Sequence, residues 1–199
     1  MRAPTARSDR LNPRRMLPIA AISAIIGTLV WLLWVLPISG SVRDAHPRAL
    51  GEPIAVTLES GERAGIWTDS AAAALETLEC TVTDERGREL DLRRAPALSW
   101  DDALWWATPR TGFEQVRAFT APNAGAVDVR CVDRMGVYDG GFVIAGDSFG
   151  SGSIGLGRTG GNDFAVGTIL VFCAVVCPLL AAFLLVLSVI GAVTRRAGR

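Results

Sequence analysis

Two long stretches of this 199-residue chain contain no charged side chain at all. The first, residues 17–38 (LPIAAISAIIGTLVWLLWVLPI), is 22 residues long, and the second, residues 165–193, is 29. At about 1.5 Å of rise per residue the shorter one reaches roughly 33 Å, enough for a hydrocarbon layer of about 30 Å. A backbone amide in hydrocarbon finds no water, so each run is expected to be a membrane-spanning helix that bonds its own backbone. Whatever else the chain folds into must be arranged around these two segments.

The charges are sorted to match. All 20 basic residues are Arg and 20 residues are acidic, so the net charge is zero. Residues 1–16 nevertheless carry five Arg against Asp9, and residues 194–199 carry three Arg and no acid. Residues 39–165 hold the remaining 12 Arg against 19 acids, a net −7. Basic residues flanking a span collect on the cytoplasmic side. Both Arg-rich tails (1–16 and 194–199) are therefore expected in the cytoplasm of a plasma-membrane protein, with the middle outside. A cleaved signal peptide is the competing reading of the first run. Its apolar stretch is long for that, and no good small-residue cleavage site follows. Trp31 and Trp34 fall where an outer aromatic belt would form, and Pro178 predicts a kink or local unwinding in the second span. Small residues recur at helical spacing (Ala20, Ala24 and Thr28, with Ser23 and Gly27 beside them; Cys173, Cys177 and Ala181). Such stripes let helices approach closely in lipid.

Composition removes several functions. A single His, His46, supplies neither a multi-histidine metal site nor a triad with a spare, and no Lys is present for Schiff-base chemistry. Zero net charge argues against nucleic acid. No metal and no cofactor is expected.

Residues 50–147 read as a separate extracytoplasmic domain, joined by a linker at 39–49 and a Gly-rich linker at 148–164. Apolar and polar residues alternate in short runs: Ile54, Val56 and Leu58; Leu78, Cys80 and Val82; Val127, Val129 and Cys131. Further strands are expected at 63–69, 104–107, 113–120 and 141–146, with a turn at 84–87 and one capped helical turn after Ser70. Seven or eight short strands predict an all-β, Ig-like antiparallel sandwich between two transmembrane helices. Cys80 and Cys131 both fall on inward positions, in a compartment where disulfides persist, which predicts one bridge; two reduced core cysteines are the alternative.

The Gly-rich stretch spells GxGxxG twice, from Gly150 and from Gly155. A dinucleotide site needs that motif between a strand and a helix of a βαβ unit, and here a membrane span follows, so a tether is the better reading. Trp100, Asp101, Trp105 and Trp106 place indoles beside a carboxylate, as sugar-binding surfaces do; core filling is the ordinary alternative. Asp101 and Asp102 are adjacent in sequence, so they would face opposite ways and do not form a converging acid pair. Asp133, Asp139 and Asp147 match no calcium-loop spacing.

The order of parts resembles small two-span envelope proteins of high-GC Gram-positive bacteria that carry an extracytoplasmic β-sandwich. The residues behind the resemblance are Leu78-Glu79-Cys80-Thr81-Val82, Val127-Asp128-Val129-Arg130-Cys131, Gly141-Phe142-Val143-Ile144-Ala145-Gly146 and Val193-Thr194-Arg195-Arg196. It implies placement and no activity, and carries over no catalytic residue. The expected function is a non-catalytic membrane protein whose outer domain meets another membrane or envelope protein, or a second copy of itself. Binding of wall glycan or lipid headgroups through the Trp residues is the alternative.

Overall fold

The computed structural model describes residues 13–94, 104–148 and 163–197. In chain order the elements begin with α1 (Pro13–Val30), a π-helical turn (Trp31–Val35), α2 (Leu36–Asp44), β1 (Arg48–Ala49), β2 (Pro53–Leu58) and β3 (Arg63–Thr68). They continue with α3 (Ala71–Ala74), β4 (Leu78–Asp84), β5 (Arg93–Arg94) and a 3-10 turn (Trp105–Ala107). The last are β6 (Glu114–Thr120), β7 (Gly125–Asp133), β8 (Gly141–Gly146) and α4 (Asp163–Ala197). The chain divides into two compact units, residues 1–31 with 172–199, and residues 32–171.

Both uncharged runs are helical. Met16–Asp44 and Gly167–Thr194, of 29 and 28 residues, are long and apolar enough to cross a membrane. The wide turn Trp31–Val35 lies just before Pro37, whose missing amide hydrogen leaves the Leu33 carbonyl without its α-helical donor. Within the first unit the helices touch through small residues. A side chain at Gly27 would meet Cδ of Pro178 at 3.0 Å and Cγ at 3.2 Å. The indole Nε1 of Trp31 donates to the Ala174 carbonyl at 3.0 Å. Trp31 thus faces α4, and α4 stays helical through Pro178 without unwinding. The stripes are rotated from those expected. Buried positions are Ala20, Ser23 and Gly27 on α1, and Gly167, Ala174, Ala181 and Ser188 on α4, whereas Thr28 is exposed and Cys173 and Cys177 are half-buried. The α4 set recurs every seventh residue, the spacing that keeps one helix face turned inward as the helix winds.

The second unit contains two antiparallel sheets. One has five strands in the order β1-β8-β3-β6-β5, the other three in the order β2-β7-β4. Ala64, Ile66, Phe119 and Phe142 of the larger sheet meet Leu78, Val82, Val127, Val129 and Cys131 of the smaller in one apolar core. Alternation produces this: β7 reads exposed-buried through Asp128, Val129, Arg130 and Cys131. Every residue of β3 is buried, because its second face is covered as well.

Helix α2 packs beside β8, the neighbour of β3 in the larger sheet. Ile38 and Val42 are buried. Ser41 Oγ donates to the Ile38 carbonyl at 2.8 Å and accepts from the Gly146 amide of β8 at 3.0 Å. Residues 39–49, expected as a linker, are therefore helical as far as Asp44. Residues 104–107, expected as a strand, form a 3-10 turn. Pro109 follows at once, restricting Thr108 and leaving no length for a ladder. The two-residue strands β1 and β5 carry too short a pattern to be read from sequence. Ser70 caps α3 as expected, accepting from Ala72 N at 3.2 Å, and Gly87 takes a positive φ of +70° in the turn after β4.

The disulfide joins Cys80 to Cys131. Directly opposed in the β4–β7 ladder, the two residues bridge strands of one sheet and not the two sheets.

Candidate functional site

Trp100 and Asp101 lie outside the described residues. Of the remaining predicted site, Trp105 opens the 3-10 turn and Trp106 is 50% exposed. Leu104, fully buried, anchors the segment from one side. Arg110 anchors it from the other, its Nη2 donating to the carbonyls of Arg43 and Ala45, each at 2.9 Å. Carbonyls at a helix end have no amide partner and favour a cation, so Arg110 serves as the missing donor for α2. Its guanidinium lies 5.3 Å from the ring centroid of the buried Phe113. Nothing in the sequence marked Arg110, since a capping Arg 65 residues downstream of the helix end leaves no local pattern. Trp67 belongs to the core: it is buried and donates Nε1 to the Gly146 carbonyl at 3.1 Å.

A buried polar cluster sits where β8 ends. Arg63 Nε lies 3.3 Å from Asp147 Oδ2, with both side chains about 5% exposed or less (5% and 4%). Gln115 Nε2 donates to Asp147 Oδ1 at 2.8 Å, while its Oε1 accepts from Ser148 N at 2.8 Å and Ser148 Oγ at 2.6 Å. β3, β6 and the residues after β8 are tied together by these bonds. Gly65 makes room for them, since a Cβ there would lie 2.9 Å from the Gln115 amide. Burying opposite charges is tolerated because each is bonded, and such a cluster fixes geometry more than it adds stability.

Asp133, Asp139 and Asp147 do not converge on a cation. Asp147 faces Arg63, and Asp133 accepts from the amides of Met135 (3.2 Å), Val137 (2.8 Å) and Tyr138 (2.9 Å). The Thr77 hydroxyl is the largest cause holding the Asp133 carboxyl far below the usual carboxylate range, followed by those amides. Asp84 is also lowered, first by the Arg88 amide and then by the Arg88 side chain. Asp84 and Arg88 line a shallow groove with Asn123 and Gly125, where Glu85 accepts from Ala126 N at 2.7 Å. Its charged groups thus serve the loop itself. Among the described residues no three His, Cys, Asp or Glu side chains are grouped to hold a metal. What these residues can do together is brace loops and present surface.

No protein-family model matches the chain, and no curated protein matches it either.

Proposed function

We propose that the chain is a non-catalytic, two-span protein of the plasma membrane, with both termini cytoplasmic and an Ig-like β-domain outside that binds another membrane or envelope protein. The observation that carries this reading is the way the first apolar run enters the domain. α2 continues that run, buries Ile38 and Val42 beside β8, and is capped by Arg110. A packed helix in place of a loose link makes the end of the first apolar run part of the domain's own fold. Two antiparallel sheets sharing one core support the Ig-like reading, although the bridge lies within the smaller sheet and antibody domains bridge their two sheets. The Arg-rich tails flanking both spans support the topology.

Crosslinking in intact membranes, with photoreactive residues at exposed positions of the domain, tests the binding role. Discrete protein adducts are expected; none from any position, with a monodisperse monomer in detergent, would refute it. Protease added to intact spheroplasts should cut the β-domain and spare the tails.

Glycan binding is the second reading, favoured by Trp106, half exposed on a segment braced by Leu104 and Arg110. Trp106→Ala should then release the protein from isolated wall glycan, and unchanged retention removes the idea.

A further inference from the structure

Among the described residues, most large apolar side chains outside the two apolar helices are covered; the exceptions are Trp106, in the 3-10 turn, and three residues of two adjoining loops. Met135 is 63% exposed, Val137 66% and Leu75 53%. Met135 and Val137 flank Gly136 in the loop between β7 and β8, and Leu75 ends the α3 turn. The two loops are bonded to each other: Arg134 N donates to the Thr77 carbonyl at 3.0 Å, and the Thr77 hydroxyl reaches Asp133. They form the tip at the Gly141 end of β8, opposite the Gly146 end where Ser41 of α2 attaches.

Several interactions hold this tip stiff. Asp133 gathers three loop amides and Thr77, as described above. Gly136 takes a φ of +64°, and Glu76 a φ of +56°, a backbone conformation that non-glycine residues seldom adopt. Ser70 Oγ donates to the Asp139 carbonyl at 3.0 Å, and Asp69 Oδ1 accepts from Gly141 N at 2.6 Å. An apolar knob held this way loses little freedom when bound, which favours association. Strained backbone held by its surroundings is often found at functional positions.

Charge selects the occupant. Residues 69–79 and 133–139 contain five carboxylates (Asp69, Glu76, Glu79, Asp133, Asp139) against Arg134, which lies 3.4 Å from Glu79, and Arg94 lies 3.7 Å from Glu76. A second copy would bring like charges together, and anionic lipid or wall polymer would be repelled. A protein surface with the opposite sign is what complements it.

We infer that the tip formed by Leu75, Met135 and Val137 is the docking surface of this domain, and that it inserts into an apolar cleft rimmed by Arg or Lys on a protein partner. This rests on the partner-binding reading above and names the surface that would carry it.

The test places a photo-crosslinking amino acid at position 137 of the full-length protein in intact membranes, and separately at position 106. Position 137 is expected to yield one protein adduct, with the attached peptide lying among basic residues. Met135→Asp should lower its yield about tenfold or more, as for a central contact, whereas Met135→Leu retains it. Salt at about 0.5 M should weaken the adduct by screening the rim. Both Met135 variants must keep the disulfide and the thermal midpoint, since the side chain is exposed. An adduct to a second copy, to lipid or to wall polymer overturns the inference, as does one that survives Met135→Asp. Capture from position 106 or any other exposed position but not 137 removes the tip and leaves the partner-binding reading standing; capture from no exposed position, with a monodisperse monomer in detergent, removes both.

Discussion

Trp31 and Pro178 are joined through a carbonyl that belongs to neither. Pro178 has no amide hydrogen, so the carbonyl four residues earlier, Ala174 O, lacks its helical donor, and Trp31 Nε1 takes that place at 3.0 Å. In hydrocarbon no water can do so, which makes this a specific bond between two otherwise apolar helices. Trp31→Phe should weaken the pairing of α1 with α4 by about 0.6–1.7 kcal/mol, the range of interhelical hydrogen bonds in lipid. In a Pro178→Ala background the residue 178 amide can bond Ala174 O itself, so the same change should cost close to nothing. A double-mutant cycle on reversible unfolding in detergent measures the difference, and equal costs in both backgrounds would show that the bond contributes nothing.

Gly27 gives a second handle on the same contact. An added Cβ would lie 3.0 Å from Cδ of the Pro178 ring, which is rigid and cannot swing away. Gly27→Ala should destabilise the pair by about 1–3 kcal/mol despite the better helix propensity of Ala. Ala at the half-buried Gly40 or Gly191, where nothing lies within 4 Å, should not. Thermal midpoints of the three variants decide it.

The Cys80–Cys131 bridge closes a loop of 51 residues. In the chain-entropy model that stabilises the fold by about 4 kcal/mol. A domain of this size shifts its midpoint by about 4–8 °C per kcal/mol. Cys80→Ser with Cys131→Ser should therefore lower the midpoint by roughly 15 °C or more, while a thiol reductant reproduces the loss in the unmodified protein. A non-reducing gel of the intact chain checks that the bridge is present beforehand.

Much of the fold was legible from alternation. In β2, β4 and β7 each inward residue could be read because one face of a strand meets a core and the other does not, whereas β8, with Phe142 and Val143 both buried, carries no such alternation. The pairing of Cys80 with Cys131 followed from phase and compartment, but not its place within one sheet, since phase alone says nothing about which strands are neighbours. Leu104-Trp105-Trp106 misled because three apolar residues in a row fit a strand, and only Pro109 argued otherwise. The bond of Trp31 to α4 was hidden because the orphaned carbonyl it meets is fixed by Pro178, 147 residues away. Arg110 and Gln115 were invisible because each acts through bonds to residues far along the chain, whereas Asp133 gathers amides two to five residues on, a turn its spacing from other acids did not reveal. Of the sugar-type cluster the structure describes only the Trp105–Ala107 turn and the half-exposed Trp106.

Asp133 makes the domain sensitive to acid. Its folded pKa is depressed, so the stabilisation is present above the unfolded value of about 3.9 and is lost as pH falls from there toward the folded value. Asp133→Asn should lower the midpoint at neutral pH, and the gap from the unmodified protein should narrow below about pH 4. A gap that stays constant down to low pH would mean the carboxylate charge is not what holds the Met135–Tyr138 loop. A gap that widens would reverse the sign.

Arg63 and Asp147 make the most demanding case, because their side chains are 5% and 4% exposed. A buried pair repays its desolvation only while both members stay, so removing one should be far worse than removing both. Asp147→Ala leaves a buried guanidinium and strips Gln115 Nε2 of its 2.8 Å acceptor. It should cost about 3–5 kcal/mol. Arg63→Met with Asp147→Leu keeps volume without charge and should lie within about 1–2 kcal/mol of the unmodified domain, in either direction. The Gln115–Ser148 bonds need neither charge, so in the double variant the residues after β8 should stay attached to β6. Amide exchange at Ser148 is the readout for that attachment, and chemical denaturation gives the energies. If the double variant is as unstable as the single one, the pair is contributing net stability, and its role extends beyond fixing the geometry of this corner.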